Sequence, residues 1–292
     1  MSQLTFSGHD TFHCRQFWLK KAFDYVQVGG NFNDLNAPLD LGVGKNMVTA
    51  IRYWARCFGI LDGDTPTPFA IKLLGKKGWD PYLEDHGSLW LLHHRLVTSG
   101  YASIYSILFN ELIRERPEFV AEHFLNFVNQ RKEGDYNPNT LGKDFTVFYR
   151  TYFADFTSGD LEEGFNGILS ELGILKKVQK PYLDKDGSKK EREVWLIERS
   201  QRNDLPLHIL LYCILITNPD SLSIGFERLY SEPNEVGSVF ALSKEGLTIS
   251  LQRIAEEMKD QGITFSNEAG IRELQFKKKL NPEKILEDYY GR

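Results

Sequence analysis

Lys45-Asn-Met-Val-Thr-Ala-Ile-Arg-Tyr-Trp-Ala-Arg-Cys-Phe58 places Met47, Ile51, Trp54, Ala55 and Phe58 at i, i+4, i+7, i+8 and i+11. That is one continuous apolar stripe at the helical period. Lys45, Thr49, Arg52 and Arg56 fall on the opposite face, again at i, i+4, i+7 and i+11. The spacing predicts an amphipathic helix whose outer side carries three cations and no anion. Upstream, Trp18, Leu19, Ala22, Phe23 and Val26 predict a helix over residues 15–28, ended by Gly29-Gly30 and the Asn-rich run to Pro38. Downstream, Gly59 to Asp64 reads as a helix stop with turn chemistry, and Phe69 to Leu74 as a strand. Helix, helix with a basic outer face, then short strands is the outline of a winged helix-turn-helix.

Three packed helices are expected from Ser88 to Asn129, the third opened by Pro117 at a favourable first-turn position. The run from Arg131 to Asn139 is the clearest linker and divides the chain into residues 1–130 and 140–292. Beyond it two further helices are expected, Leu141–Phe153 and Leu161–Leu172, the latter closed by Gly173. A hairpin follows, Ile174–Tyr182 and Glu193–Glu198, turned by Asp184-Lys-Asp-Gly187. Pro206–Thr217 reads as a buried helix and Ile224–Tyr230 as a short one. Ser243 reads as the N-cap of a helix striped by Leu247, Leu251, Ile254 and Met258. A last hairpin is expected about Asn267-Glu-Ala-Gly270, so the winged-helix order recurs near the C-terminus. The expected fold class is mainly α with small β-hairpins, an α+β protein with winged-helix-like units near both ends joined by a helical middle.

The 292 residues carry 35 Lys plus Arg against 40 Asp plus Glu, a net charge of −5. A bulk polycation that coats nucleic acid or anionic membrane is thereby excluded. The charge is unevenly distributed. Residues 1–60 hold six Lys or Arg against four Asp, a surplus of +2, and the remainder carries −7. Cys14, Cys57 and Cys213 are far apart with no CxxC pair, which fits neither a disulfide framework nor a zinc knuckle. The opening residues lack the basic and apolar regions of a signal peptide, and the longest apolar run, Ile209–Ile216, is short of the ~20 residues that span a bilayer. The expectation is a cytoplasmic protein with no membrane partner.

Several runs carry chemistry. Gly42-Val-Gly44-Lys45 is followed by Asn46, and Leu39 occupies the earlier glycine position of a P-loop, so that signature fails. Gly44 and Lys45 still stand where a helix N-terminus can meet a phosphate. On the basic helix, Lys45, Asn46, Thr49, Arg52 and Arg56 are the candidate DNA contacts. Gly8-His-Asp-Thr-Phe-His-Cys-Arg15 is the densest group of reactive side chains. There His9, Asp10 and His13 could hold a divalent metal or run acid–base chemistry on a phosphodiester, and an N-capping acid beside a hydrogen-bonded histidine is the structural alternative. Asp80, Glu84, Asp85 and His86 form a second polar run that either binds a metal or caps the helix after it. Seven cations between Lys176 and Arg192 make the first hairpin basic, and five acids between 184 and 198 weaken it.

Ser7-Gly-His-Asp-Thr-Phe-His-Cys-Arg-Gln-Phe-Trp-Leu-Lys-Lys21 resembles the opening of the family catalogued as domain of unknown function 4007. Leu41-Gly-Val-Gly-Lys-Asn-Met-Val48, Trp79-Asp-Pro-Tyr-Leu-Glu-Asp85, Leu89-Trp-Leu-Leu-His93 and Ala269-Gly-Ile-Arg-Glu273 match it as well. The resemblance spans nearly the whole chain. It implies a DNA-binding protein of a bacterial DNA phosphorothioate-modification and phage-defence system, similar to the SspB-like component that nicks DNA to permit sulfur incorporation. On that reading Lys45, Arg52 and Arg56 grip phosphates. His9, Asp10 and His13 supply catalysis with Mg²⁺ or Mn²⁺, and the partners are DNA and other proteins of the system. The rival from a different class is a non-enzymatic winged-helix adaptor that recruits the modification enzymes.

Overall fold

The computed structural model describes residues 4–131, 134, 136–154, 166–184, 188–268 and 270–291. Helix α1 (Trp18–Gln27) packs through Trp18, Leu19, Ala22 and Phe23. A short α2 (Ala37–Leu41), opened by Pro38 and stopped by left-handed Gly42, leads into α3 (Lys45–Cys57). On α3 the expected stripe is the inner face: Ile51, Trp54, Ala55 and Phe58 are fully buried, and Met47 packs at its margin. Two-residue strands β1 (Leu61–Asp62) and β2 (Thr65–Pro66) pair about Gly63. The next segment corrects the sequence expectation. Phe69–Leu74 is not a strand but lies in helix α4 (Pro68–Leu74), because Thr67 caps it, Oγ1 accepting from the Ala70 amide at 3.1 Å, and Pro68 fixes the first turn.

The middle is helical as expected. It comprises α5 (His86–Thr98), a continuous run of α6 (Ser103–Ile107), a π turn (Leu108–Leu112) and α7 (Ile113–Glu115), then, after a short strand, α8 (Ala121–Gln130). Pro117 does not open α8. It leads into that strand, β3 (Glu118–Phe119), which adds to the edge of a hairpin about 75 residues later in the chain. The helix expected from Leu141 is α9 (Pro138–Tyr152), with Asn137 as its cap. The start of the helix expected over Leu161–Leu172 lies outside the described residues, and Ser170–Leu172 is a 3-10 turn ended by left-handed Gly173.

Strands β4 (Leu175–Leu183) and β5 (Lys189–Ile197) form the expected hairpin in sheet order β3-β5-β4, and residues 185–187 of its turn lie outside the described residues. Helix α10 (Leu207–Thr217) is apolar on all sides and sits between α5 and the C-terminus. Where one short helix is expected, the chain makes β6 (Ser223–Gly225) and then α11 (Phe226–Ser231), followed by α12 (Val236–Val239). Ser243 caps α13 (Lys244–Glu257) as expected, Oγ accepting from the Gly246 amide at 3.0 Å. The closing hairpin is β7 (Ile263–Glu268) and β8 (Ile271–Phe276), with β6 added beside β8. A last helix, α14 (Pro282–Tyr290), packs on α10. The protein is a mixed α+β fold of helices with small antiparallel sheets of two or three strands.

Candidate functional site

The basic face of α3 is built on its apolar one. Lys45, Asn46 and Thr49 are exposed, and Lys45 has no ion-pair partner among the described residues. Gly44 is the N-cap, so no side chain caps the first-turn amides. Arg52 and Arg56 are half-buried and held. Arg52 Nε donates to Asp64 Oδ1 at 2.8 Å and its Nη2 to Oδ2 at 2.5 Å, while Nη1 reaches Asn33 Oδ1 at 3.0 Å. Arg56 donates to the Gly63 carbonyl at 2.7 Å and to Asp64 Oδ1 at 2.9 Å. Burial pushes the Asp64 carboxyl up, but the bonds and charges of the two guanidinium groups outweigh it and the pKa is lowered. Asp64 therefore ties the β1–β2 turn to the basic helix and neutralises one of its cations.

Residues 7–13 lie against the same helix. Ser7, Gly8, Asp10 and Thr11 all have positive φ, 73°, 102°, 45° and 69°. A Cβ at Gly8 would stand 2.6 Å from the Tyr53 ring, so only glycine fits. The anchor is Asp144 of α9, 2 % exposed. Its Oδ1 and Oδ2 accept from the Ser7 amide at 3.0 and 3.1 Å, and His9 Nε2 lies 3.1 Å from Oδ1. The Thr11 amide donates to His9 Nδ1 at 3.2 Å, so that nitrogen accepts and Nε2 carries the proton toward Asp144. The ring is stacked on Trp54, and Trp54 Nε1 donates to the Phe12 carbonyl at 2.9 Å. His9 is thus buried with both nitrogens engaged. Asp10 stands exposed on the turn, and His13 is half-buried.

The second polar run caps. Asp80 accepts from the amides of Glu84 and Asp85 at 2.9 Å each, Asp85 accepts from the Gly87 amide at the start of α5, and His86 pairs with Asp204 at 2.8 Å. The C-terminal helix covers this loop: Tyr289 donates to Asp85 at 2.6 Å and Tyr290 stacks on Trp79. The basic hairpin is largely neutralised by ion pairs, Lys176–Glu198, Lys177–Glu193, Lys180–Glu118 and Lys190–Asp184. Burial pushes the Cys14, Cys57 and Cys213 thiols up, which leaves them protonated rather than nucleophilic.

A family profile described as Protein of unknown function (DUF4007) matches residues 6–290. The chain belongs to this family. Two solved structures resemble this DUF4007 protein over 98 % of its length and 88 % of theirs, each at 28 % identity. One is the magnesium ion-bound SspB crystal structure, TM-score 0.80, and the other the SspB crystal structure, TM-score 0.79. No curated protein gives a significant match. The chain is therefore an SspB-like DUF4007 protein. Among the described residues no helix is long and apolar enough to cross a membrane.

The fit of a divalent metal can be judged from the donors. No three His, Cys, Asp or Glu side chains converge among the described residues. The His9 nitrogens and both Asp144 oxygens are already bonded within the protein. A protein-built metal cage does not fit this loop as folded. The partner missing from the sequence reading is Asp144. Its signal was there: Leu141, Phe145, Phe148 and Tyr152 form the apolar stripe of α9, and Asp144 falls on that stripe. A carboxylate at a core position demands a buried partner.

Proposed function

We propose that this protein is the DNA-contacting component of a bacterial DNA phosphorothioate-modification and phage-defence system. The observation that carries the proposal is the likeness to SspB along 98 % of the chain. Two features of the fold support it. The order α10–β6–α11–α12–α13–β7–β8, with strands in the order β6-β8-β7, supports a winged-helix-like reading, and α1, α2, α3 and the β1–β2 turn support a reduced version of it near the N-terminus. The exposed N-terminal turn of α3 combines Lys45, Asn46, Thr49 and amides without a side-chain cap, which suits a phosphate backbone. Arg52 and Arg56 add positive potential from positions fixed by Asp64.

On this proposal the Asp144–His9 bond holds the 7–13 loop beside α3, and Asp10 and His13 are the groups that would act on a bound phosphodiester in DNA nicking. A second reading, a non-enzymatic adaptor that recruits the modification enzymes, is favoured by the engagement of both His9 nitrogens. A supercoiled-plasmid assay with Mg²⁺ or Mn²⁺ separates them. Nicking by the wild type that Asp10→Ala or His13→Ala abolishes supports the enzyme. Retention of plasmid without nicking supports the adaptor. Failure to retain DNA at low salt refutes both.

A further inference from the structure

We propose that the groove between α1 and α2 docks a basic amphipathic helix of a partner protein. Among the described residues none of α3 lines this groove, so the site stands apart from the DNA-contact reading. Along α1, Phe17, Lys21, Asp24 and Val28 fall at i, i+4, i+7 and i+11, on the face opposite the buried Leu19, Ala22 and Phe23. The chain turns at Gly29-Gly30 and returns through Asn31, Asp34, Asp40 and Leu41 as the other wall. Tyr82 joins from the loop before α5, its ring centre 5.8 Å from Lys20 Nζ. The space so lined is about 780 Å³ and open to solvent. Its walls are fixed in advance. Tyr25 Oη donates to the Asn31 carbonyl at 3.0 Å, Lys21 Nζ to the Leu41 carbonyl at 2.7 Å, and the Asn36 amide to Asp34 Oδ1 at 2.9 Å.

The groove offers apolar area and negative charge together. Phe17, Tyr82 and Val28 are 55 %, 58 % and 84 % exposed, and Leu35 and Leu39, next in sequence to Asp34 and Asp40, are exposed as well. These are five of the nine large hydrophobic side chains exposed among the described residues, so apolar surface is concentrated here rather than scattered. Both cations of the groove are engaged within it, Lys20 by Asp24 at 2.5 Å and Lys21 by the Leu41 carbonyl. Asp34 and Asp40 are exposed and make no ion pair among the described residues. The last turn of α1 holds no basic residue, so the helix dipole adds negative potential beside Val28. A cationic ligand is favoured there and an anionic one, DNA included, is repelled. From Phe17 to Val28 the face runs about 16 Å, three turns of helix. Small-ligand pockets bury most of their ligand, whereas this groove is open. Apolar side chains at both ends of α1 and unpaired carboxylates on the far wall suit a helix whose apolar stripe is flanked by Lys or Arg.

The test uses the full chain and a phage-displayed library of helical peptides, about 15 residues long, with randomised faces. The library is selected on the wild type and in parallel on Phe17→Ser/Val28→Ser, whose thermal melt should match the wild type because both side chains are exposed. Clones enriched on the wild type are expected to carry an apolar stripe and a net positive charge. They should bind the serine variant at least tenfold more weakly and lose their salt dependence with Asp34→Asn/Asp40→Asn. No enrichment over the serine variant, or enrichment of acidic clones, overturns the proposal. A wild-type dimer in light scattering that the serine variant turns monomeric assigns the groove to a second copy of the chain and overturns the partner assignment. Duplex binding lost in the serine variant makes the groove part of the DNA face and overturns it too. A wild type that binds no duplex yet enriches basic clones removes the DNA reading and leaves this one standing.

Discussion

Lowering the pH from 7 to 5 is expected to remove about 4 kcal/mol of stability through His93 and His94. Both rings are buried in α5, at 0 % and 2 % exposure. His93 donates from Nε2 to the Val239 carbonyl at 2.7 Å, so its Nδ1 accepts from the Tyr152 hydroxyl, also at 2.7 Å. The ring is satisfied only when neutral. His94 has no hydrogen-bond partner at either nitrogen among the described residues and faces Phe240. Burial pushes each pKa down to about 3 from 6.5. An unfolded chain takes up these protons below pH 6.5 and the folded chain does not. Stability from these groups is therefore full above pH 6.5, falls through the window from 6.5 to 3, and is lost below it. The slope approaches ~1.4 kcal/mol per pH unit for each ring, which gives about 2 kcal/mol apiece between pH 7 and 5. Urea midpoints followed by fluorescence of the buried Trp54 and Trp90 would show it. His94→Leu should halve the pH dependence and cost little at pH 7, since it removes an unpaired polar ring. An equal loss in both proteins, or a His94 resonance titrating near 6.5 in the folded state, would refute the reasoning.

Three further perturbations address the site. Asp64→Asn should release Arg52 and Arg56 from their shared carboxylate, tightening duplex binding at low salt while costing less than ~1 kcal/mol of stability, because the pair is partly exposed; weaker binding would show that the clamp orients the arginines rather than masking them. Asp144→Ala should destabilise by about 3 kcal/mol, since it strands the buried His9 ring and the Ser7 amide, and Gly8→Ala should cost a comparable amount through the Tyr53 ring and a φ of 102°; thermal melts within a degree or two of wild type would contradict both.

What was legible in the sequence is what is local. The α3 stripe, the Ser243 cap and the β4–β5 hairpin follow from spacing and turn chemistry within a dozen residues. The failures have physical causes. Phe69-Ala-Ile-Lys-Leu-Leu74 is a short apolar run that periodicity alone assigns to strand or helix equally, and Thr67-Pro68 just before it set a helix start. Strands β3 and β6 are too short to show a period and exist because distant strands offer them edges. Asn281-Pro282 was a readable cap for α14, but the helix is held by Trp79 and Asp85 far away in the chain. At the candidate site the motif residues sit together on α3, yet the group that organises them, Asp144, is 135 residues from His9. Likewise the charge of the basic face could be counted, but not the sharing of Asp64 between two arginines.

Duplex affinity against salt for wild type and Lys45→Glu tests the central claim most directly. Lys45 is exposed and unpaired among the described residues, so the reversal should leave the fold intact. The account predicts that the wild type binds with a steep salt dependence and that the variant binds at least tenfold more weakly at low salt, with a slope reduced by about 1. Equal affinities and slopes would contradict a DNA contact at the outer face of α3.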